Sequence, residues 1–414
     1  MTTEAPGGAH RPALSRCVSA DPAKFAGAYW GRAPLLSLAG ELDGPDGFRD
    51  LLSPDDADEL LSRRGLRTPF IRVAKDGAIV PPGRYTGSGG AGAEIDDQVL
   101  DEKILAWYAD GATLVFQGLH RTWPPLIAFA GELGAALGQP LQINAYLTPP
   151  GNQGFATHYD THDVFVLQVD GRKRWKIHPP VLDDPLERQA WNGRADEVTA
   201  TAAGEPALDV VLEPGDALYL PRGWLHSAAA QDDSSLHLTI GIRALTRYAL
   251  VEALLGEAAN DPRLRATLPY ALDVSDPDQI EPELTETIEA LRDWLDTASP
   301  AAVAERLRRR SWPAARPAAL RPLAQAAAIR ALAPDDRIVP RERLRWRLEP
   351  DGDERITLRV FDRAVTFPAG CAIALRAFLD GGVTRVGDLP GLDEDEDRLV
   401  LARRLLREAI AVPG

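Results

Sequence analysis

The stretch Thr157-His158-Tyr159-Asp160, followed by Val164-Phe165-Val166-Leu167-Gln168-Val169, the pair Asp170-Gly171, and Arg172-Lys173-Arg174-Trp175-Lys176-Ile177, decides the fold class. Two runs of β-formers flank an Asp-Gly dipeptide, which is a two-residue hairpin signal, and this predicts paired strands. Alternate residues of a strand share a face, so His158 and Asp160 are expected to point the same way. A third candidate, His226, ends a strand-like stretch that begins at Asp216 after the turn residues Pro214 and Gly215. Two histidines and one carboxylate occupying one side of an ion leave its other positions open, which is the arrangement of non-haem Fe(II) oxygenases. An H-x-D tripeptide is common by chance; the strand context and the distant His226 give it weight.

In the run after the turn, Lys173, Trp175 and Ile177 share one face, and Arg172, Arg174 and Lys176 share the other. Trp175 and Ile177 mark the buried face, so Lys173 is drawn inward with them. With a hairpin symmetric about its turn, Lys173 lies opposite Gln168, on the face of Val166 and Val164. A buried ammonium needs a counter-charge or gives up its proton. A dicarboxylate held by the metal at one end places its other carboxylate there, a contact worth roughly 1.5–3 kcal/mol.

The run Asn144 to Asp160, then Gly171 to Trp175, then Leu220-Pro221-Arg222-Gly223-Trp224-Leu225-His226, resembles the JmjC-type ribosomal oxygenases, cupin-like 2-oxoglutarate dioxygenases that hydroxylate ribosomal proteins. The likeness is densest over residues 140–245. It implies Fe(II) ligands at His158, Asp160 and His226, and Lys173 as the partner of the distal carboxylate of 2-oxoglutarate. It also implies substrate contacts at Asn144 and Tyr146, which share the polar face of an alternating strand with Gln142 and Thr148. Gly241 stands where several eukaryotic members of the family carry Ser, in a position that shapes the substrate pocket.

A chain of 414 residues is expected to form two or three domains. Its two cysteines, Cys17 and Cys371, are far apart and outside any C-x-x-C motif, which disfavours a structural zinc or a disulfide framework. Residues Met1 to His10 lack a signal-like apolar core and no run of 18 apolar residues occurs, so a cytoplasmic protein without a membrane span is expected. With 46 basic against 61 acidic residues the net charge is −15, which disfavours direct nucleic-acid binding and suits a basic protein partner.

Along the chain, residues 1–20 read as a disordered tail and residues 21–243 as the catalytic domain. Helices are expected from Asp21 to Trp30, from Val99 to Ala109, and from Trp123 to Leu137, the last with Thr122 as cap. The Gly-rich segment from Pro81 to Asp97 reads as a surface loop. Short strands from Leu141 to about Arg243, with no helices between them, give an α+β fold with a double-stranded β-helix (jelly-roll) core. Leu284, Ile288, Leu291 and Leu295 recur at helical spacing within residues 244–300, a helical region that the resemblance makes a homodimer interface.

Residues 301–414 hold two alternating strands around Asp351-Gly352, and helices near 369–379 and 395–410; this order resembles a winged helix. The acidic run Asp393 to Asp397 would repel phosphates and argues for a protein-contact or structural role there, not nucleic-acid binding. Arg398, Arg403, Arg404 and Arg407 read as a solvated face.

The remaining histidines have plainer readings. His162 lies four residues after His158, but no Glu follows His158 as a zinc-protease helix requires. His178 falls on the outward face of its strand, His237 reads as a hydrogen-bonded core residue, and His10 and His120 carry no motif. Trp175 and Trp224 read as core.

The reading is an Fe(II)-, 2-oxoglutarate- and dioxygen-dependent dioxygenase acting on a protein side chain; the resemblance points to Arg or His of a ribosomal protein. Lysine demethylation uses the same oxidant. The alternatives are an oxygenase acting on a biosynthetic peptide or small molecule, and a non-catalytic metal-binding scaffold.

Overall fold

The computed structural model describes residues 12–43 and 47–414, which divide into two compact units at Ala244/Leu245. The strands of the first unit are β1 (Leu35–Ser37), β2 (Ile71–Lys75), β3 (Ala78–Ile79), β4 (Thr86–Gly87), β5 (Gln98–Val99), β6 (Thr113–Phe116), β7 (Leu141–Thr148), β8 (Asp163–Asp170), β9 (Lys173–His178), β10 (Leu208–Leu212), β11 (Ala217–Leu220), β12 (Leu225–Ala230) and β13 (Ser235–Ile242). One antiparallel sheet runs β1-β11-β8-β13-β7-β6-β2-β3, and a second runs β10-β9-β12. Isolated bridges Gln153–Ala229 and His158–His226 lay the segment 153–158 along the free edge of β12. Four strands of the large sheet (β7, β13, β8, β11) and four of the small one (segment 153–158, β12, β9, β10) make the expected eight-strand jelly roll, although a helix, Ala195–Ala202, lies between β9 and β10 where none is expected.

Both faces of the large sheet are used. Ile143, Phe165, Leu167, Tyr219, Leu238 and Ile240 point outward into a core completed by Leu126, Phe129 and Leu133 of the helix Pro124–Leu137 and by Leu14, Val18 and Phe25. Val164, Val166, Leu218 and Leu220 point inward and meet Trp175, Ile177 and Leu212 of the small sheet. The unbroken apolar run of β8 follows from this double burial, each large side chain contributing about 1.5–3 kcal/mol.

The expected hairpin at Asp170-Gly171 is not one. Strands β8 and β9 belong to different sheets, and the turn is the corner where the chain crosses between them. Gly171 has φ +60°, and a Cβ there would sit 1.9 Å from the Ser234 carbonyl oxygen, so the glycine serves the corner. Lys173 still faces Val164 and Val166, but across the gap between two sheets, not along one.

Other expectations shift locally. Of the expected tail, residues 1–11, and His10 with them, lie outside the described residues, whereas Ala13, Leu14, Cys17 and Val18 are buried in the main core. Thr122 ends a short preceding helix, Leu119–Thr122, and does not cap Pro124–Leu137, whose N-cap is Trp123. The expected helix Asp21–Trp30 is a helical turn Pro22–Lys24, capped by Asp21, followed by a π-turn Phe25–Tyr29. The Gly-rich loop is stapled by the β4–β5 pair and by buried Tyr85. His178 is buried, not outward: its cross-strand partner Leu225 packs with Tyr159 and Val198 under the 181–198 segment, which covers this end of the small sheet.

The second unit opens with helices Arg247–Ala258, Pro277–Leu295 and Pro300–Ser311, the third lying on the first with Arg310 paired to Glu252 at 2.7 Å. Strands β14 (Arg337–Pro340), β15 (Trp346–Asp351), β16 (Arg355–Val360), β17 (Arg363–Pro368), β18 (Thr384–Arg385) and β19 (Ala411–Pro413) form two three-stranded sheets, β15-β16-β17 and β18-β14-β19. Helices Ala372–Gly381 and Asp395–Arg407 bury Leu375, Phe378, Leu401 and Leu405 against Ile338, Leu358 and Phe367. The expected segments 244–300 and 301–414 fall in this one unit. Arg398 and Arg403 are not simply solvated: Arg398 donates to the Leu389 carbonyl at 3.2 Å and Arg403 to that of Leu332 at 3.3 Å. Both cysteines are free, and among the described residues no helix is long and apolar enough to cross a membrane.

Candidate metal centre

His158 and His226 are brought together by backbone. The His226 N–H donates to the His158 carbonyl at 2.8 Å and the His158 N–H to the His226 carbonyl at 3.2 Å. Residues so paired project side chains to one side, and their ring centroids lie 4.5 Å apart. Asp160 lies two residues on, its carbonyl accepting from the Gly223 N–H at 3.0 Å, which ties it to the turn that delivers His226. Gly223 has φ +87° with the Leu182 carbonyl 2.7 Å from where a Cβ would stand. Tyr159, between the ligands, points the other way and donates from its hydroxyl to Gln189 at 2.8 Å.

Nε2 of His226 lies 3.8 Å from a carboxylate oxygen of Asp160, and one donor atom of each of the three side chains falls within 4.8 Å of the others. Each histidine is oriented by its other nitrogen: Nδ1–H of His158 donates to Ala156 at 2.7 Å and that of His226 to Trp224 at 3.0 Å. Those bonds leave both Nε2 lone pairs facing the cluster, the backbone-oriented arrangement of metal-bound histidines. Burial, helped by His158, pushes His226 down to about 4, so it stays neutral. Burial alone would raise Asp160, but His162, His226 and His158 outweigh it and hold the carboxyl below its usual range. The donor set fits a divalent transition ion with one open side.

The cluster opens on a cavity between the two sheets, whose walls include Tyr146, Lys173, Trp175, His237 and Thr239. Lys173 is buried and has no carboxylate partner among the described residues; its Nζ donates to Thr148 Oγ1 at 2.9 Å. Burial lowers its pKa to about 7. Thr148, not singled out as a site residue from the sequence, also receives the Thr113 hydroxyl at 3.1 Å. Its signal was its place on the polar face of β7.

Tyr146 stacks on His237 at 5.0 Å with rings 7° from parallel, and burial pushes its pKa up to about 12. Asn144 spends its side-chain oxygen on the Gly118 N–H at 3.1 Å, so it is partly a scaffold residue. His237, expected to be hydrogen-bonded, has a buried Nδ1 without a partner, and it stands outside the donor cluster. His120 accepts from the Ile143 N–H at 3.0 Å, a structural role that no motif signalled. Gly241 pairs with Gln142 and Val164; a Cβ there would stand 2.7 Å from the His162 ring and 2.9 Å from Gln142 Cγ. Thus His162 fills the notch that the missing side chain leaves.

Asp163 is a further residue that sequence reasoning missed. It is fully buried and accepts from the Tyr219 hydroxyl at 2.9 Å and the Arg222 N–H at 3.0 Å, fastening the 221–224 turn to the start of β8. An acid directly before the apolar run of β8 was the available signal.

Residues 134–250 match the family model described as JmjC domain. The bifunctional lysine-specific demethylase and histidyl-hydroxylase NO66 of Drosophila persimilis is 47% identical over 114 residues, 27% of this chain and 16% of that protein. Ribosomal oxygenase 1 of Gallus gallus is 33% identical over 229 residues, 53% of this chain and 35% of that protein. The chain thus spans little more than a third, at most, of the length of these relatives. The crystal structure of the Escherichia coli ribosomal oxygenase YcfD superposes with a TM-score of 0.52 at 18% identity, covering 95% of this chain and 98% of that one, a likeness of fold. The jelly roll and these matches agree: residues 134–250 match a JmjC domain, and over this part the chain is similar to the ribosomal oxygenases.

Proposed function

We propose that the chain is an Fe(II)- and 2-oxoglutarate-dependent dioxygenase that hydroxylates a protein side chain, an Arg or His of a ribosomal protein. The observation that carries this reading is one cavity with two chemically different ends. A three-donor cluster with an open side stands at one, and a buried lysine lacking a carboxylate partner among the described residues at the other. A scaffold protein has no use for that lysine, whereas a dicarboxylate chelated at the metal satisfies it.

In this reading His158, Asp160 and His226 hold the iron, and Lys173 with Thr148 receives the distal carboxylate. The bound iron, with 2-oxoglutarate and dioxygen, supplies the oxidant for C–H hydroxylation, with succinate and carbon dioxide as co-products. The protein contributes orientation and dryness. Lys173 holds a proton at Nζ once the carboxylate arrives, Val164, Val166 and Trp175 keep water from the cavity, and Tyr146, Asn144 and Gly241 shape the approach of the target side chain. The names of the relatives, histidyl-hydroxylase and ribosomal oxygenase, support the protein substrate.

The same reading makes the chain a homodimer and a cytoplasmic protein. Leu284 and Ile288 are exposed on Pro277–Leu295, as are Leu250 and Leu255 on Arg247–Ala258, an apolar surface of the kind helix pairing covers. The two small sheets and helices of residues 301–414 act as a winged-helix-like protein-contact element, without direct nucleic-acid binding.

Anaerobic reconstitution with Fe(II), followed by 2-oxoglutarate, air and a ribosome preparation, tests this against an Asp160→Ala control. Succinate release that depends on Asp160, with one oxygen mass gained on one ribosomal protein, is the expected result. Succinate without a modified protein moves the search to peptides or small molecules; the absence of both succinate release and 2-oxoglutarate binding overturns the enzyme reading.

A further inference from the structure

His237 stands in the cavity wall with a polar atom that nothing among the described residues satisfies. Its side chain is 3% exposed, its Nδ1 is sealed with no hydrogen-bond partner, and its ring is clamped face to face on Tyr146 and edge-on to Trp175 at 5.5 Å. Buried polar groups are ordinarily paired, so an orphan beside a cavity asks what the other end of the ring does. A sealed nitrogen without a partner is tolerated better as a bare lone pair than as an N–H. That choice puts the ring proton on Nε2. Burial and the adjacent Lys173 ammonium keep the imidazole neutral, so it offers a single N–H donor and no charge.

Strand register places this donor relative to Lys173. On the inward face, Ser235 pairs with Thr148, and two residues on His237 pairs with Tyr146; Thr239, beyond it, pairs with Asn144. Thr148 is where Lys173 Nζ rests, so His237 stands one inward-facing row away from the lysine contact. A row is about 7 Å. The donor cluster, Lys173 and His237 line the same cavity.

We propose that His237 is a positioning residue for the co-substrate, its neutral Nε2–H donating to an oxygen of the dicarboxylate that Lys173 and Thr148 hold. This rests on the 2-oxoglutarate reading above. It adds a donor that discriminates length: a chain one carbon shorter, as in oxaloacetate, does not bring an oxygen to both Lys173 and His237 while chelating the metal.

The test is binding, not turnover. The full chain is loaded with Mn(II), and the affinities for 2-oxoglutarate and oxaloacetate are measured by calorimetry for wild type, His237→Phe and His237→Gln. Phe keeps a ring for the Tyr146 stack and removes the donor; Gln keeps a neutral N–H. His237→Phe is expected to weaken 2-oxoglutarate binding about tenfold or more. It should also narrow the preference over oxaloacetate, with Mn(II) affinity within about twofold of wild type, and His237→Gln should recover part of the loss. Undiminished 2-oxoglutarate affinity in His237→Phe overturns the proposal, as does a loss that His237→Gln shares in full with an unchanged preference over oxaloacetate. Wild type failing to bind 2-oxoglutarate at all overturns the functional reading and this proposal with it, a separate outcome.

Discussion

Replacing Lys173 by Met should stabilise the protein while abolishing tight co-substrate binding. The folded environment lowers the lysine pKa from 10.5 to about 7 through burial. The unfolded chain keeps that proton up to its ordinary pKa, so between the two values the unfolded state holds more protons and the wild type gains stability as pH rises. A burial penalty of this size corresponds to about 4 kcal/mol at pH 7.5 and falls to about 2 kcal/mol at pH 9. Methionine fills similar space without charge and loses one hydrogen bond, to Thr148, worth about 1 kcal/mol. Thr148 is not orphaned, because Thr113 still donates to it. The expected advantage of Lys173→Met is therefore about 3 kcal/mol at pH 7.5 and about 1 kcal/mol at pH 9. Equilibrium urea unfolding of the strand-rich unit at both pH values measures it. In the wild type, calorimetry in buffers of different ionisation heat should show about one proton taken up with 2-oxoglutarate at pH 8.5 and almost none at pH 6. A variant no more stable than wild type at pH 7.5, or an advantage independent of pH, would refute the buried-ammonium argument.

Removing the Asp160 carboxylate by Asp160→Ala should weaken Fe(II) or Mn(II) binding by more than the ~10–100-fold typical of losing an outer partner, with the fold retained by circular dichroism. Asp163→Asn should leave the three donors in place but loosen the 221–224 turn, weakening metal affinity about 10–100-fold in a competition titration; an unchanged affinity would show that the turn holds without this acid. At Gly241, a serine must displace the His162 ring 2.7 Å away, so Gly241→Ser should destabilise by about 1–3 kcal/mol, and Gly241→Ser combined with His162→Ala should recover most of it. Ile288→Glu should shift the chain to monomer in sedimentation velocity without altering metal binding; a monomeric wild type would remove the dimer from the proposal.

The short strands, the alternating faces of β7 and the shared side of His158 and Asp160 were legible in the chain because they rest on local rules. Side chains two apart in an extended segment share a face, and His158, Asp160, Asn144 and Tyr146 needed nothing more. Strand context after the Pro214-Gly215 turn offered the distant candidate His226, which parity alone cannot pair with His158.

What the tertiary structure decided was which surfaces meet. Asp170-Gly171 reads identically as a hairpin turn or as a corner between sheets, since a left-handed glycine serves both; only the Ser234 carbonyl pressed against Gly171 distinguishes them. His178 obeys strand parity and is nevertheless buried, because the 181–198 segment folds back over a face that the sequence leaves open. Lys173 was drawn inward by its neighbours, but its isolation from any carboxylate among the described residues, on which its proposed role rests, exists only once two sheets close around it. Periodicity acts along the chain, while desolvation and charge pairing act across space, and the cavity's chemistry is made of the latter.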